Sequence, residues 1–547
     1  MSVAYDKKTP GVYIQELDAF PPSIVGVQTA VPAFIGYTEK AELGGKQVFL
    51  KSIKIRSMAD YEQIFGTKFK PLYDITVVPA AVASPLEPAD DYDFSFDGID
   101  YKLTQTHDSK FYLYHSLKLF YDNGGGTAYV VSVGDYTDGG TAPDGATIVY
   151  DDLKQGLDVI ADQVGPTMLV IPDATLLSKD SDPIKDTTLP KSADFKKLVG
   201  DMLLQCKKLQ DRVAILDVYG AEHVKQNQTK TLFEAELDAV ITQFRKDVGE
   251  EDLNYGMGYF PWVNSTVVGG SDIDYTFFNL ADPTDLATFK KILNTQAEEI
   301  YTGTGLTKIK DYINNTDPNP PSPLPQVDVT KNNQNLLNAL PILGTMEGII
   351  AEKMNVLPPS GGMAGVFTRV DNTRGVWNAP ANVGMNSVDS PTIKLNDDQQ
   401  GDLNVPLDGK AVNVIRDFVG RGPIVWGART LDGNSNDWRY IQVRRTLIYI
   451  EQSIKSALEP FVFAANDGNT WVTVVSMSSN FLQGLWSQGG LMGATAGEAY
   501  SVQCGLGSTM TSMDILQGYM IVQITLQMIH PAEFIVLTFK QKMGEAS

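Results

Sequence analysis

The chain contains four histidines, His107, His115, His223 and His530, and none stands in the His-Glu-x-x-His spacing that sets two zinc ligands on one helical face. No Gly-x-Ser-x-Gly segment supplies a nucleophile elbow, so zinc and serine hydrolysis both lack their parts. Gly124-Gly125-Gly126 precedes an apolar run instead of joining a strand to a helix, and no Gly-Lys-Ser/Thr follows, which argues against a phosphate cradle. The acidic cluster Asp90, Asp91, Asp93 and Asp97 lacks the residue order and distal Glu of a calcium loop and reads as a solvated turn. Cys206 and Cys504 lie far apart, neither with a Cys-x-x-Cys partner, so no disulfide framework or thiolate metal site is expected. The expectation is therefore a protein that is not an enzyme, with no catalytic residue, metal ligand or cofactor.

Length and charge narrow the classes further. With 547 residues, 43% of them hydrophobic, the chain suffices for about three or four domains with buried cores. A formal charge of -22 disfavours a nucleic-acid ligand, because that binding depends on Lys and Arg neutralising phosphates. The acid excess is uneven: residues 351–547 carry 14 basic and 17 acidic side chains, whereas residues 1–350 carry 30 and 49. A repelling acidic surface suits a protein that stays soluble while its other faces adhere. The opening Met-Ser-Val-Ala-Tyr-Asp-Lys-Lys-Thr-Pro lacks the apolar centre of a signal peptide, and no apolar run approaches the ~18 residues of a bilayer span. Folding in a reducing cytoplasm, with no membrane insertion of this chain, is expected.

Periodicity supplies the elements. Val12–Leu17 reads as a short strand between Thr9-Pro10-Gly11 and Phe20-Pro21-Pro22, and residues 29–37 as a second apolar run. Residues 90–108 alternate acid with aromatic, as in an exposed insertion holding a hairpin. Helix and strand then alternate, with helices at 114–122, 151–163, 194–209 and 229–246 and strands at 128–133, 167–171, 212–218 and 255–263. That order predicts an α/β layer with a largely parallel sheet. Five prolines between 318 and 325 mark a stiff boundary loop. Beyond residue 360 the pattern predicts a compact α+β unit. Its expected parts are a helix from Trp438 to about Leu458 N-capped by Asp437, a helix over 479–488 ending at Gly489, a strand over 519–528 and a last strand over 533–539. In the first helix, Tyr440, Val443, Leu447, Ile450, Ile454 and Leu458 form one apolar stripe, with Arg444, Glu451 and Lys455 opposite.

Both chain ends are thus strand-prone. Unpaired strand edges recruit other chains, so each end either completes a sheet in a neighbour or pairs within its own subunit. Residues 410–455 hold eight basic and four acidic side chains and form the sizeable basic stretch of the last third. It reads either as a face for an acidic partner or as an ordinary solvated face with internal salt bridges.

Ordered strings along the chain resemble contractile tail sheath proteins: Thr-Pro-Gly-Val-Tyr-Ile-Gln-Glu (9–16), Val-Gln-Thr-Ala-Val-Pro-Ala-Phe-Ile-Gly-Tyr-Thr (27–38) and Tyr-Glu-Gln-Ile-Phe-Gly (61–66). The resemblance continues through Phe-Tyr-Asp-Asn-Gly-Gly-Gly-Thr-Ala-Tyr-Val-Val-Ser-Val (120–133), Pro-Pro-Ser-Gly-Gly-Met-Ala-Gly-Val-Phe-Thr-Arg-Val-Asp (358–371) and Arg-Gly-Val-Trp-Asn-Ala-Pro-Ala-Asn (374–382). Val-Asn-Val-Ile-Arg (412–416), Val-Trp-Gly-Ala-Arg-Thr-Leu (425–431), Trp-Arg-Tyr-Ile-Gln-Val-Arg-Arg (438–445) and Pro-Ala-Glu-Phe-Ile-Val (531–536) complete it. The insertions near 85–108 and 265–345 match no such string.

The resemblance implies a multidomain α+β fold: a C-terminal α+β sheath core completed by the N-terminal segment, an inserted α/β domain and a peripheral β-rich insertion. The expected divisions are an N-terminal arm (1–25), the start of the core and middle domain (26–84), an acidic insertion (85–110), an α/β domain (111–345), the C-terminal core (346–527) and a C-terminal arm (528–547). It implies subunits in hexameric rings stacked around an inner tube, with baseplate and terminal cap proteins as further partners, in a phage tail or an injection particle assembled in a bacterial cytoplasm and released. It also implies exchange of terminal strands between subunits, through Val12, Tyr13, Ile14, Gln15, Glu16 and Leu17 and through Phe534, Ile535, Val536, Leu537 and Thr538. Pro21, Pro22, His530 and Pro531 would then be hinges, and Arg439, Arg444, Arg445 and Lys455 would touch the inner tube. The rival readings are an α/β enzyme or glycan-binding protein, motivated by the alternation of residues 110–263, and an acidic surface-layer protein.

Overall fold

A computed structural model describes residues 24–78, 92–106, 110–137, 145–178, 193–224, 230–318 and 328–534. The chain divides into two compact units, Gln28–Ile448 and Tyr449–Ser547 with Met1–Val27.

The larger unit is built on a nine-stranded sheet. Its strands are β1 (Pro32–Thr38), β2 (Ile53–Ile55), β3 (Ala128–Asp135), β4 (Met168–Val170), β5 (Val213–Asp217), β6 (Gly256–Phe260), β7 (Val383–Gly384), β8 (Val412–Phe418) and β9 (Gly422–Val425). Their spatial order is β7-β9-β8-β6-β5-β4-β1-β3-β2. The six strands from β8 to β3 in that order run parallel; antiparallel β2 borders one side, and antiparallel β9 and then β7 border the other. Parallel strands covered on both faces become continuous apolar runs, which is why Met-Leu-Val in β4 and Val-Ala-Ile-Leu in β5 are buried at every position. The alternation of residues 110–263 is therefore the sheet that the sequence predicts, but β8 arrives from far downstream. β8 and β9 lie beyond the expected boundary at 346, and the two compact units divide at 448/449, inside the helix Ile441–Leu458.

Two helices on this sheet touch closely. Leu113–Asp122 packs against Ser360–Arg374, where a Cβ on Gly361 would collide with the Ser116 carbonyl and one on Gly365 with the Phe120 carbonyl. Two buried carboxylates hold the starts of these helices. Asp173 accepts from the Tyr112 N–H at 2.6 Å and Asp217 from the Ser360 N–H at 2.8 Å. Each offsets the unsatisfied N–H groups and positive end of a helix N-terminus.

The acidic insertion does contain a hairpin, Phe94–Phe96 with Ile99–Gln105, turning at Asp97-Gly98. It is joined by Tyr73–Val78, so a division at 84/85 would cut a three-stranded sheet. The unmatched downstream segment is helical: Pro283–Ile300, Gly303–Asn314, Val329–Ala339 and Pro341–Met354.

From residue 438 onward the sequence-derived elements shift. The helix begins at Ile441, not Trp438, because Thr430 engages the preceding residues: its N–H donates to the Arg439 carbonyl at 2.9 Å and its hydroxyl to the Trp438 carbonyl at 2.8 Å. Asp437 is therefore not its N-cap. The second helix is twice its expected length, Gly468–Ser487, N-capped by Asp467. Its first half, rich in β-branched Thr470, Val472, Thr473, Val474 and Val475, hides the helical signal. The strand expected over 519–528 is ordered as Gln523–Leu526. The described part of the N-terminal segment meets the smaller unit, with the Val27 N–H donating to Ser453 Oγ at 3.1 Å.

Candidate functional site

Among the described residues the groups with catalytic chemistry do not converge. Burial pushes His115 down to about 3, so it is neutral, and pushes Asp173 and Asp217 up to about 7, but both carboxylates are occupied with helix starts. Burial raises the Cys206 thiol well above its usual range, which makes it inert. Among the described residues no cluster of three or more His, Cys, Asp or Glu is placed to hold a metal ion, and no helix is long and apolar enough to cross a membrane.

The four arginine and lysine candidates separate. Arg445 is 4% exposed and grips Asp371 through two bonds of 2.9 and 2.6 Å; it also donates to the Thr29 carbonyl, and its guanidinium lies 4.6 Å from the Phe367 ring centroid. Arg444, also 4% exposed, donates to the Tyr255 hydroxyl at 2.6 Å and lies over the Tyr255 and Trp438 rings. Both are internal structural arginines, so the expectation that they face a tube is corrected: neither has surface to offer. Arg439 is half-buried and bonded to the Ser435 carbonyl, and Lys455 is exposed.

A different feature of the smaller unit has the form of an interface. Tyr500–Gln503 pairs antiparallel with Gln523–Leu526 in the register Tyr500↔Leu526 and Val502↔Ile524. These four side chains line one half-buried face, with Ser501, Gln503, Gln523 and Thr525 exposed on the other. The ribbon is anchored at one end, where the Gln527 N–H donates to the Ala499 carbonyl and the Met492 N–H to the Gln527 carbonyl, both at 2.9 Å. The Tyr500 hydroxyl reaches Gln483 on the helix Gly468–Ser487. Among the described residues neither strand has a second neighbour. A two-stranded ribbon is marginal alone, and open edges are templates for further strands. Large apolar side chains are also exposed on this unit, among them Val472, Met513, Leu516, Tyr519 and Phe534.

Of the proposed exchange residues, Val12–Leu17 and Ile535–Thr538 lie outside the described residues, as do the hinge residues Pro21 and Pro22. Phe534 is 72% exposed, and His530 and Pro531 sit in irregular chain after the last strand. The ribbon's first strand, Tyr-Ser-Val-Gln, is only four residues long, and its alternation is the signal that the sequence offers for it.

Residues 434–542 match the family model for the phage tail sheath C-terminal domain. Over 98% of its length the chain resembles a protein in the helical sheath of the anti-feeding prophage in its contracted state, with 25% identity, a TM-score of 0.55 and all of that chain covered. A chain of the anti-feeding prophage baseplate structure is similar at 25% identity and TM-score 0.54, with 98% of this chain and 100% of that one covered. Residues 434–542 thus carry the sheath C-terminal domain, and the chain as a whole is similar to contractile sheath proteins. The sheath complex of PVC, an extracellular contractile injection system, in its contracted state shares the fold at 24% identity and TM-score 0.54, with 99% of both chains covered. No curated protein sequence matches the chain. Similarity to sheath proteins over this much of the chain supports a structural, non-enzymatic role.

Proposed function

We propose that this sheath subunit polymerises as stacked hexameric rings around a rigid inner tube and shortens to drive the tube through a target membrane, in an extracellular injection system of the anti-feeding prophage kind. The carrying observation is the open ribbon Tyr500–Gln503/Gln523–Leu526, a half-built sheet on a unit whose surface is rich in exposed apolar side chains. Terminal strands Val12–Leu17 and Phe534–Thr538 from neighbouring copies would complete it by β-augmentation. Backbone hydrogen bonds between copies then act as tethers that persist while the larger units rotate, with hinges at Pro21-Pro22 and His530-Pro531. A head-to-tail contact that does not close yields an open helix of arbitrary length. Free energy is stored in a kinetically trapped lattice at assembly and released on contraction, with no nucleotide required.

Baseplate and cap proteins would terminate the lattice, and Arg439 and Lys455 are the basic candidates left for the tube. The test is electron microscopy of full-length protein beside variants lacking residues 1–20 or 533–547. Full-length chains are expected to form tubes or stacked rings, and the truncated ones to remain dispersed yet folded. Truncated variants that polymerise normally would overturn the strand-exchange reading.

A further inference from the structure

One loop of the smaller unit holds an apolar ring in water against the interests of folding. Phe463 is 103% exposed and its neighbour Val462 is 63% exposed, and Phe463 has a left-handed backbone with φ of 69° that a bulky residue adopts only at a cost. The loop is nevertheless braced. The Val462 N–H donates to the Glu459 carbonyl at 3.1 Å, the Ala464 N–H to the Phe461 carbonyl at 3.0 Å and Asn466 Nδ2 to the Tyr519 carbonyl at 2.9 Å. Trp471 Nε1 donates to Asn466 Oδ1 at 2.7 Å, and Asp467 caps the following helix. A rigid loop presenting an aromatic side chain in advance has the properties of an interface anchor, since little ordering remains to be done on binding.

We propose that Phe463 of one copy inserts into an aromatic pocket on the larger unit of a second copy. That pocket, open to solvent, is lined by Phe69, Phe111, Trp262 and Met354 together with Lys110, Glu222 and Lys353, the last paired with Asp93 at 2.8 Å. Charge selects this pairing. Exposed Glu459 and Asp467 flank Phe463 in sequence, with no Lys or Arg between Lys455 and Lys540, and the exposed Lys110 beside the pocket offers the complementary charge. A knob on one unit and a hole on the other make a heterologous contact, which generates a ring where its rotation closes and an open helical array where it does not. The second copy is thus a neighbour in the lattice, and to that extent the inference rests on the sheath reading above.

The experiment uses the full chain without tube, followed by sedimentation and electron microscopy, with a photoreactive phenylalanine analogue at position 463 to map contacts. F463A and F463G are expected to raise the concentration needed for particles about tenfold or more. F463G should unfold at or above the temperature of the unmodified chain, because glycine relieves the left-handed backbone. E459K should weaken assembly, and K110E in the same chain should restore part of it. Crosslinks should join position 463 to peptides carrying Phe69, Phe111 or Met354 of another copy. F463A particles forming at the ordinary concentration, crosslinks elsewhere, or loss of tube loading alone would each overturn the proposal. Unmodified protein that forms no helical particles while the crosslink still appears would overturn the sheath reading and leave the knob contact standing.

Discussion

Arg445 illustrates how a single residue can carry a fold. Its bidentate pair with Asp371 is buried on both sides and joins three separated segments through Thr29, Asp371 and the helix Ile441–Leu458. Removing one partner leaves a buried charge uncompensated, so R445A is expected to cost about 3–5 kcal/mol of stability, measured by chemical denaturation. Replacing both partners by apolar residues should cost much less, which distinguishes pairing from bulk. The buried aspartates set a pH dependence. Burial raises Asp173 and Asp217 from their ordinary range to about 7, so the native state binds protons that the unfolded chain releases. Their contribution is complete below the unfolded carboxyl range, near pH 4, and is lost as pH rises through about 7. The unfolding midpoint of the larger unit should therefore fall from pH 4 to pH 8 in this respect, and D173N should flatten that slope while preserving an acceptor for the Tyr112 N–H.

Elements depend on close approach as much as on residue preference. The helices Leu113–Asp122 and Ser360–Arg374 meet where Gly361 and Gly365 lack side chains, and both glycines lie in the string 358–371 that resembles the sheath family. Each methyl added there points at a backbone carbonyl, which cannot yield as a flexible side chain would. G365A is expected to cost about 1–3 kcal/mol by overpacking, visible as a lowered unfolding midpoint. The helical periodicity of Ile441–Leu458 was readable, and Val443, Ile450 and Ile454 are buried as expected. Periodicity did not show that its first two turns are buried all round, which places Arg444 and Arg445 inside. A charged residue opposite an apolar stripe faces water only when nothing else packs there, and Tyr255, Trp438 and Asp371 do.

At the scale of the whole molecule, self-association has to overcome a net charge of -22 on every copy. Exposed apolar side chains and strand edges supply attraction, and added salt screens repulsion between approaching copies over about 10 Å at 0.1 M. Particle formation should therefore become easier as salt rises from about 0.02 to 0.2 M, read as the protein concentration at which assembly begins. Assembly that weakens over this range would mean that complementary charge pairs, and not apolar contacts, dominate the lattice.

The sequence by itself determined the alternation of residues 110–263, the parallel character of the sheet and the kinship with sheath proteins, because local periodicity and ordered strings survive without knowledge of contacts. Only the tertiary structure decided that β8 and β9 join that sheet from more than 140 residues beyond β6, that Arg444 and Arg445 are internal, and that Tyr500–Gln503 and Gln523–Leu526 form a ribbon with open edges. Those outcomes depend on which distant segments come to share a face. Nothing in the neighbouring residues of the chain encodes that, since burial and pairing are properties of the packed whole.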